Sequence, residues 1–136
     1  MGNISLISYK SITVVYNDMS EAKPTEVIDL CMKSREVISG YLPHQAYVLV
    51  NVTNIRFNSQ VVQFIKETTK DNSPFVKITA VFGLEGFTKP LLNVVADYSD
   101  RAMIIVDSFE EGLEKLFLHS IEKELPIVSL NLKTSL

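Results

Sequence analysis

Apolar and polar residues alternate through ISLISYKSITVVYND, residues 4–18, where β-branched side chains dominate and Tyr9, Lys10 and Ser11 interrupt the pattern. Such alternation around a polar break predicts a β-hairpin. The period then lengthens. Val27, Leu30, Cys31, Ser34 and Ile38 recur at three- and four-residue spacing, with Pro24 or Thr25 near the start and Gly40 at the end, so an amphipathic helix is expected over residues 25–39.

Beyond the turn signal at Pro43, AYVLVNV is a short continuous apolar run, the signature of a strand covered on both faces. Asn58 or Ser59 can cap a helix that carries Val61, Val62, Phe64, Ile65 and Thr69 and closes at DNSP. FVKITAVFG then reads as a strand with Val76, Ile78, Ala80 and Phe82 on one face. GFTKPLLNVVADY reads as a helix that tolerates Pro90 in its first turn, and AMIIVD as a third buried strand. The last helix, in SFEEGLEKLFLHSIEKE, is expected to open with a capping box of Ser108 and Glu111 and to turn Leu113, Leu116, Phe117, Ser120 and Ile121 inward.

The resulting order is β-β-α-β-α-β-α-β-α. It predicts an α/β single domain, a mixed, mostly parallel central sheet of about five strands flanked by four helices. The domain is expected over residues 1–122. The apolar positions of LPIVSLNLKTSL follow the helix-breaking Pro126, so residues 123–136 form a tail, either an added edge strand or disordered.

Composition narrows the function classes. With 136 residues, 46% hydrophobic and 21% charged, the chain has enough apolar material for one real core. A net charge of -3 supplies no clustered cation for phosphate neutralisation, so nucleic acid is not an expected partner. No apolar run reaches the roughly 18 residues of a spanning helix. Membrane insertion is therefore not expected, and the lone Cys31 fits a cytoplasmic protein with a buried, inert thiol.

Candidate chemistry is sparse. His44 and His119 lie on different expected elements without a metal-binding spacing, so no metal site and no cofactor is expected. No GxSxG elbow is present, and Asp97, Asp100, Asp107, Glu110 and Glu111 gather at helix ends, where capping explains them. Gly83 and Gly86, in GLEGFTK, form a weak anion-site candidate, because a glycine turn entering a helix can present backbone N–H groups. Against it, Glu85 places a negative charge where the anion would sit. The polar knot NVTNIRFNSQVV, residues 51–62, lies beyond the carboxyl end of a strand, where open α/β sheets bind their ligands.

The stretches VLVNVTNIRFNSQVV, AVFGLEGFTKPLLNVV and IIVDSFEEGLEKL carry a resemblance to the STAS domains, typified by the anti-anti-sigma factor of bacterial sporulation. The resemblance is stronger to an uncharacterised bacterial set of STAS-like, CRAL-TRIO-related small proteins, and it covers about residues 5–121 in element order. In regulated STAS domains a serine at the start of the loop helix is phosphorylated, which switches binding to an anti-sigma protein. That role would fall on Ser59, with Asn58 where the family has aspartate and Thr53 where it has a small hydroxyl residue. Arg56 and Phe57 complete the candidate interaction surface, although Phe57 can equally staple the loop onto the sheet.

The resemblance thus implies a small, non-catalytic, regulatory protein-interaction module with an unidentified protein partner. The alternative is a carrier of a lipid or small apolar ligand in a CRAL-TRIO-like pocket. An exposed sheet edge and the tail also leave a homodimer open.

Overall fold

The computed structural model describes residues 2–85, 92–93, 96–97 and 103–122. Five strands form one sheet in the order β1-β2-β3-β4-β5: β1 (Asn3–Tyr9), β2 (Ile12–Asp18), β3 (Ala46–Asn51), β4 (Val76–Phe82) and β5 (Met103–Ile105). β1 and β2 are the antiparallel hairpin, closed at Lys10, which takes a left-handed φ of 51°. The other pairings are parallel. The described helices are α1 (Pro24–Ile38), α2 (Ser59–Asn72) and α3 (Phe109–Glu122). The helix expected over residues 86–98 lies mostly outside the described residues, of which Leu92, Asn93, Ala96 and Asp97 are helical. The 123–136 tail lies outside them altogether.

From β2 to β5 the strands succeed one another in a single direction. Right-handed crossovers therefore place α1 and α2 on one face of the sheet. α1 and α2 do lie side by side there, joined at the surface by an Arg35–Asp71 ion pair of 3.2 Å. α3 covers the opposite face, packing on β4, β3 and β2. Each side has its own core. Val27, Leu30, Cys31 and Val61 of the helices meet Val52 and Val81 on the first side, whereas Leu113 and Leu116 meet Val14, Leu49, Ile78 and Ala80 on the second.

The first strand residue of β4 departs from the expected alternation. Ala46 pairs with Val76, but the next residue, Tyr47, pairs with Ile78, so Lys77 is an extra residue in β4. A one-residue bulge reverses the side on which residues before it point. Val76 accordingly packs with Val15, Ile38 and Val48 beneath α1, not with Ile78 and Ala80 beneath α3. Two further expectations are corrected. β5 is the last strand of the described sheet with Ile105 exposed, so it is not a buried central strand, and Ile121 is exposed at the end of α3. A glycine explains how closely α3 approaches: a Cβ on Gly112 would lie 2.5 Å from Leu49 Cδ1.

The helix starts follow their local chemistry. In α1, Glu26 accepts a hydrogen bond from the Lys23 N–H at 2.8 Å, with Pro24 at the first helical position. In α3, Ser108 Oγ accepts from the Glu111 N–H at 3.1 Å, as expected. The Glu111 carboxylate reaches one residue further back than a standard capping box, to the Asp107 N–H at 2.6 Å.

Candidate functional site

At the carboxyl edge of the sheet three loops converge, one after each of β2, β3 and β4. Asn51, at the end of β3, organises them. Its Oδ1 accepts from the Thr53 N–H at 3.0 Å and the Thr53 hydroxyl at 2.6 Å, while its Nδ2 donates to the Tyr16 hydroxyl at 3.3 Å. The Thr53 carbonyl then accepts from the Glu21 N–H at 2.9 Å, and the Arg56 N–H donates to the Ala22 carbonyl at 3.0 Å. Glu21 and Asn54 both adopt left-handed φ values, 61° and 54°, and their side chains join at 2.8 Å. The loop after β3 is thereby tied to the loop after β2 through both backbone and side chains.

Gly83 closes the third side. Its φ is 86°, and a Cβ there would collide with Thr53 Oγ1 and lie 2.7 Å from the Thr53 nitrogen. Glycine at this position permits the close approach of two loops. Its geometry is thus accounted for without an anion, and Gly86, the other half of that candidate, lies outside the described residues.

The remaining candidates occupy distinct environments. Asn58, and not Ser59, is the cap of α2: its side chain accepts from the Val61 N–H at 2.8 Å. Ser59 is the first helical residue and is exposed, as is Arg56. A dianionic group on Ser59 would sit at the positive end of the helix dipole. Phe57 is half-buried against the core that includes Val52, Ile55 and Val61, so its ring anchors the loop.

Sequence reasoning missed a second feature, a cavity of about 80 Å³ between the sheet and the α1–α2 layer. Its walls are mostly aliphatic, but Asn17 of β2, Ser34 of α1, Thr68 and Asn72 of α2, and Thr79 of β4 are among its lining residues. All five are buried. Asn17 Nδ2 donates to Ser34 Oγ at 2.8 Å, whereas Asn17 Oδ1 and Asn72 Oδ1 have no hydrogen-bond partner within the protein. The signal was present in the sequence as polar residues at inward positions, Asn17 at the end of an apolar strand and Ser34 within the apolar stripe of α1.

Cys31 also lines this cavity, and burial pushes its thiol up to about 12, so it stays protonated and unreactive at neutral pH. On the opposite side of the sheet, the Tyr9 hydroxyl and the Lys10 ammonium reach Glu114 Oε1 at 2.6 and 2.9 Å, tying the hairpin to α3. Those two hydrogen bonds hold the Glu114 carboxyl below the usual carboxylate range. Among the described residues no cluster of three or more His, Cys, Asp or Glu side chains could hold a metal ion, and no helix is long and apolar enough to cross a membrane.

No family model matches the chain, and no curated protein matches it by sequence. Solved structures do match. An uncharacterised protein of the DUF3478 family with a SpoIIAA-like fold, from Shewanella loihica PV-4, superposes with a TM-score of 0.68 at 8% identity, over 85% of this chain and 93% of that one. An anti-sigma-factor antagonist (STAS) domain protein from Planctomyces limnophilus superposes with a TM-score of 0.58 at 14% identity, over 83% of this chain and 97% of that one. With a five-stranded mixed sheet in this element order and these two structural relatives, the fold of the chain is STAS-like.

Proposed function

We propose that the protein is a non-catalytic, cytoplasmic interaction module of STAS type, whose partner docks at the carboxyl edge of the sheet around Arg56 and Ser59. The observation that carries this reading is the combination of exposure with rigidity: both side chains are exposed on a backbone braced by Asn51, Thr53 and Gly83. A pre-ordered surface loses little conformational entropy on association. Of the two similar structures, the one from Planctomyces limnophilus is named as an anti-sigma-factor antagonist, which favours a protein partner over a substrate. In this reading Ser59 is the regulatory position, and modification there adds roughly -1.5 to -2 charge to the docking surface.

The test is a pull-down from the source cell with wild-type protein, Ser59→Asp and Arg56→Ala. Wild type is expected to retain one stoichiometric partner that both variants lose, with all three proteins equally folded by circular dichroism. Recovery of no stoichiometric partner by wild type, or equal recovery by all three, sinks the reading. The carrier alternative draws support from the cavity, but about 80 Å³ is far below the roughly 300–1,000 Å³ of pockets that enclose drug-sized ligands. The volume therefore favours the interaction module over the carrier.

A further inference from the structure

We infer that the cavity between the sheet and the α1–α2 layer is a binding site for a small neutral molecule that donates hydrogen bonds, of the class of short primary amides and diols. Independently of the docking surface proposed above, two observations point to it. The first is the space itself, about 80 Å³. An apolar cavity of about 150 Å³ admits benzene, so half that volume suits about three or four non-hydrogen atoms.

The second observation is chemical. Asn17 and Asn72 are lining residues, each only 6% exposed, and the Oδ1 of each is buried without a hydrogen-bond partner. A buried acceptor left unpaired is costly, so an occupant that donates to it is favoured. Ser34 can serve only one end of the Asn17 amide, and it is bonded to Nδ2 at 2.8 Å. Thr68 stands one helical turn before Asn72 on α2, so the two side chains share the face of the helix turned to the cavity.

Charge defines the class further. Among the described residues that line it, Cys31 is the only titratable side chain, and burial keeps its thiol neutral. An ionic guest would enter a buried site with no counter-charge, at a desolvation cost nothing there offsets. The apolar part of the wall, which includes Val48, Val50, Ile65 and Val81, suits a short hydrocarbon stem. Hydrogen-bond donors on a two-carbon stem describe acetamide or ethane-1,2-diol.

The experiment is a titration of the full chain with acetamide, ethane-1,2-diol and xenon, followed by amide NMR shifts and thermal melting. Acetamide or the diol is expected to give saturating shifts around Asn17, Ser34, Thr68 and Asn72 with a half-point of about 1 mM, within the ceiling for so few atoms. It should also raise the melting temperature, because only the folded state binds. Asn72→Ala decides between volume and chemistry: it enlarges the cavity while removing an acceptor, so binding should weaken about tenfold. Asn72→Leu, which removes the acceptor and keeps a similar bulk, should lose binding yet melt no lower than wild type. Tighter binding in Asn72→Ala, xenon binding in place of both polar probes, or shifts scattered over the surface would each overturn the inference. So would bound water at the site that neither polar probe displaces.

Discussion

At the scale of single residues, the polar knot after β3 separates into side chains that build the loop and side chains the loop displays. Thr53 and Asn58 belong to the first kind, since Thr53 bonds Asn51 and stands against Gly83 while Asn58 caps α2. Arg56 and Ser59 belong to the second. Phe57 was ambiguous in the sequence because an aromatic residue before a helix cap can be either an anchor or a contact; its packing against the core that holds Ile55 and Val61 makes it an anchor. The clearest single-residue consequence concerns Cys31. The unfolded thiol titrates near 9 and the folded one near about 12, so below pH 9 both states hold the proton and the group contributes no pH dependence. Above pH 9 the unfolded chain releases its proton while the folded protein keeps it, and stability must fall. The loss should reach about 1.4 kcal/mol at pH 10 and continue to grow until the folded thiol itself titrates. Urea denaturation of wild type and Cys31→Ala at pH 8.5 and pH 10 isolates this contribution; parallel losses in the two proteins would show that the thiol is not its source.

At the scale of elements, the hydrophobic pattern located β3, β4, α1 and α2 to within a few residues because periodicity and caps are local properties. The Ser108 cap was legible for the same reason. What escaped was information held by a neighbouring strand. The bulge at Lys77 depends on pairing with Ala46 and Tyr47, so nothing within FVKITAVFG could reveal that Val76 points the other way. Strand order was equally hidden, since alternation of strand and helix does not state which strands are neighbours. The cavity lay beyond reach because residues of all of β2, α1, β3, α2, β4 and β5 line it. Gly112 in α3 presents a similar case. Read in sequence, it is a helix-weakening residue within an otherwise strong helix; in the fold it lets α3 settle onto Leu49. Gly112→Val should therefore destabilise the protein by about 1–3 kcal/mol through overpacking. The comparison is with Lys115→Val, an exposed position of the same helix. Equal chemical-denaturation midpoints for the two variants would refute close packing as the role of this glycine.

For the whole molecule, the decisive fact is that β3 is central in every direction. It pairs with β2 on one side and β4 on the other, and the helix layers cover both its faces. Val48 and Leu49 illustrate this arrangement, since they point to opposite faces and are 1% and 0% exposed. β1 has the opposite character: it is the other terminal strand of the described sheet, its Leu6 is exposed, and beyond its pairing with β2 it is held by the half-buried Ile4, Ile7 and Tyr9 and by the Lys10–Glu114 ion pair at the surface. Exposed ion pairs contribute little, so the hairpin is expected to open before the β2–β3–β4 unit. Native-state hydrogen exchange should show this as a gradient. The amides of Val48, Leu49 and Val50 should exchange only through global unfolding, with β1 amides exchanging much sooner. Leu49→Ala should cost about 2–5 kcal/mol, a large share of the roughly 5–15 kcal/mol typical of a domain. Because β3 also carries Asn51, the same unfolding event would dismantle the loops at the carboxyl edge. Opening of β1 would leave those loops intact. If β1 and β3 amides instead exchange at the same free energy, the hairpin is part of the central cooperative unit and the Tyr9–Lys10–Glu114 contacts are stronger than their exposure implies.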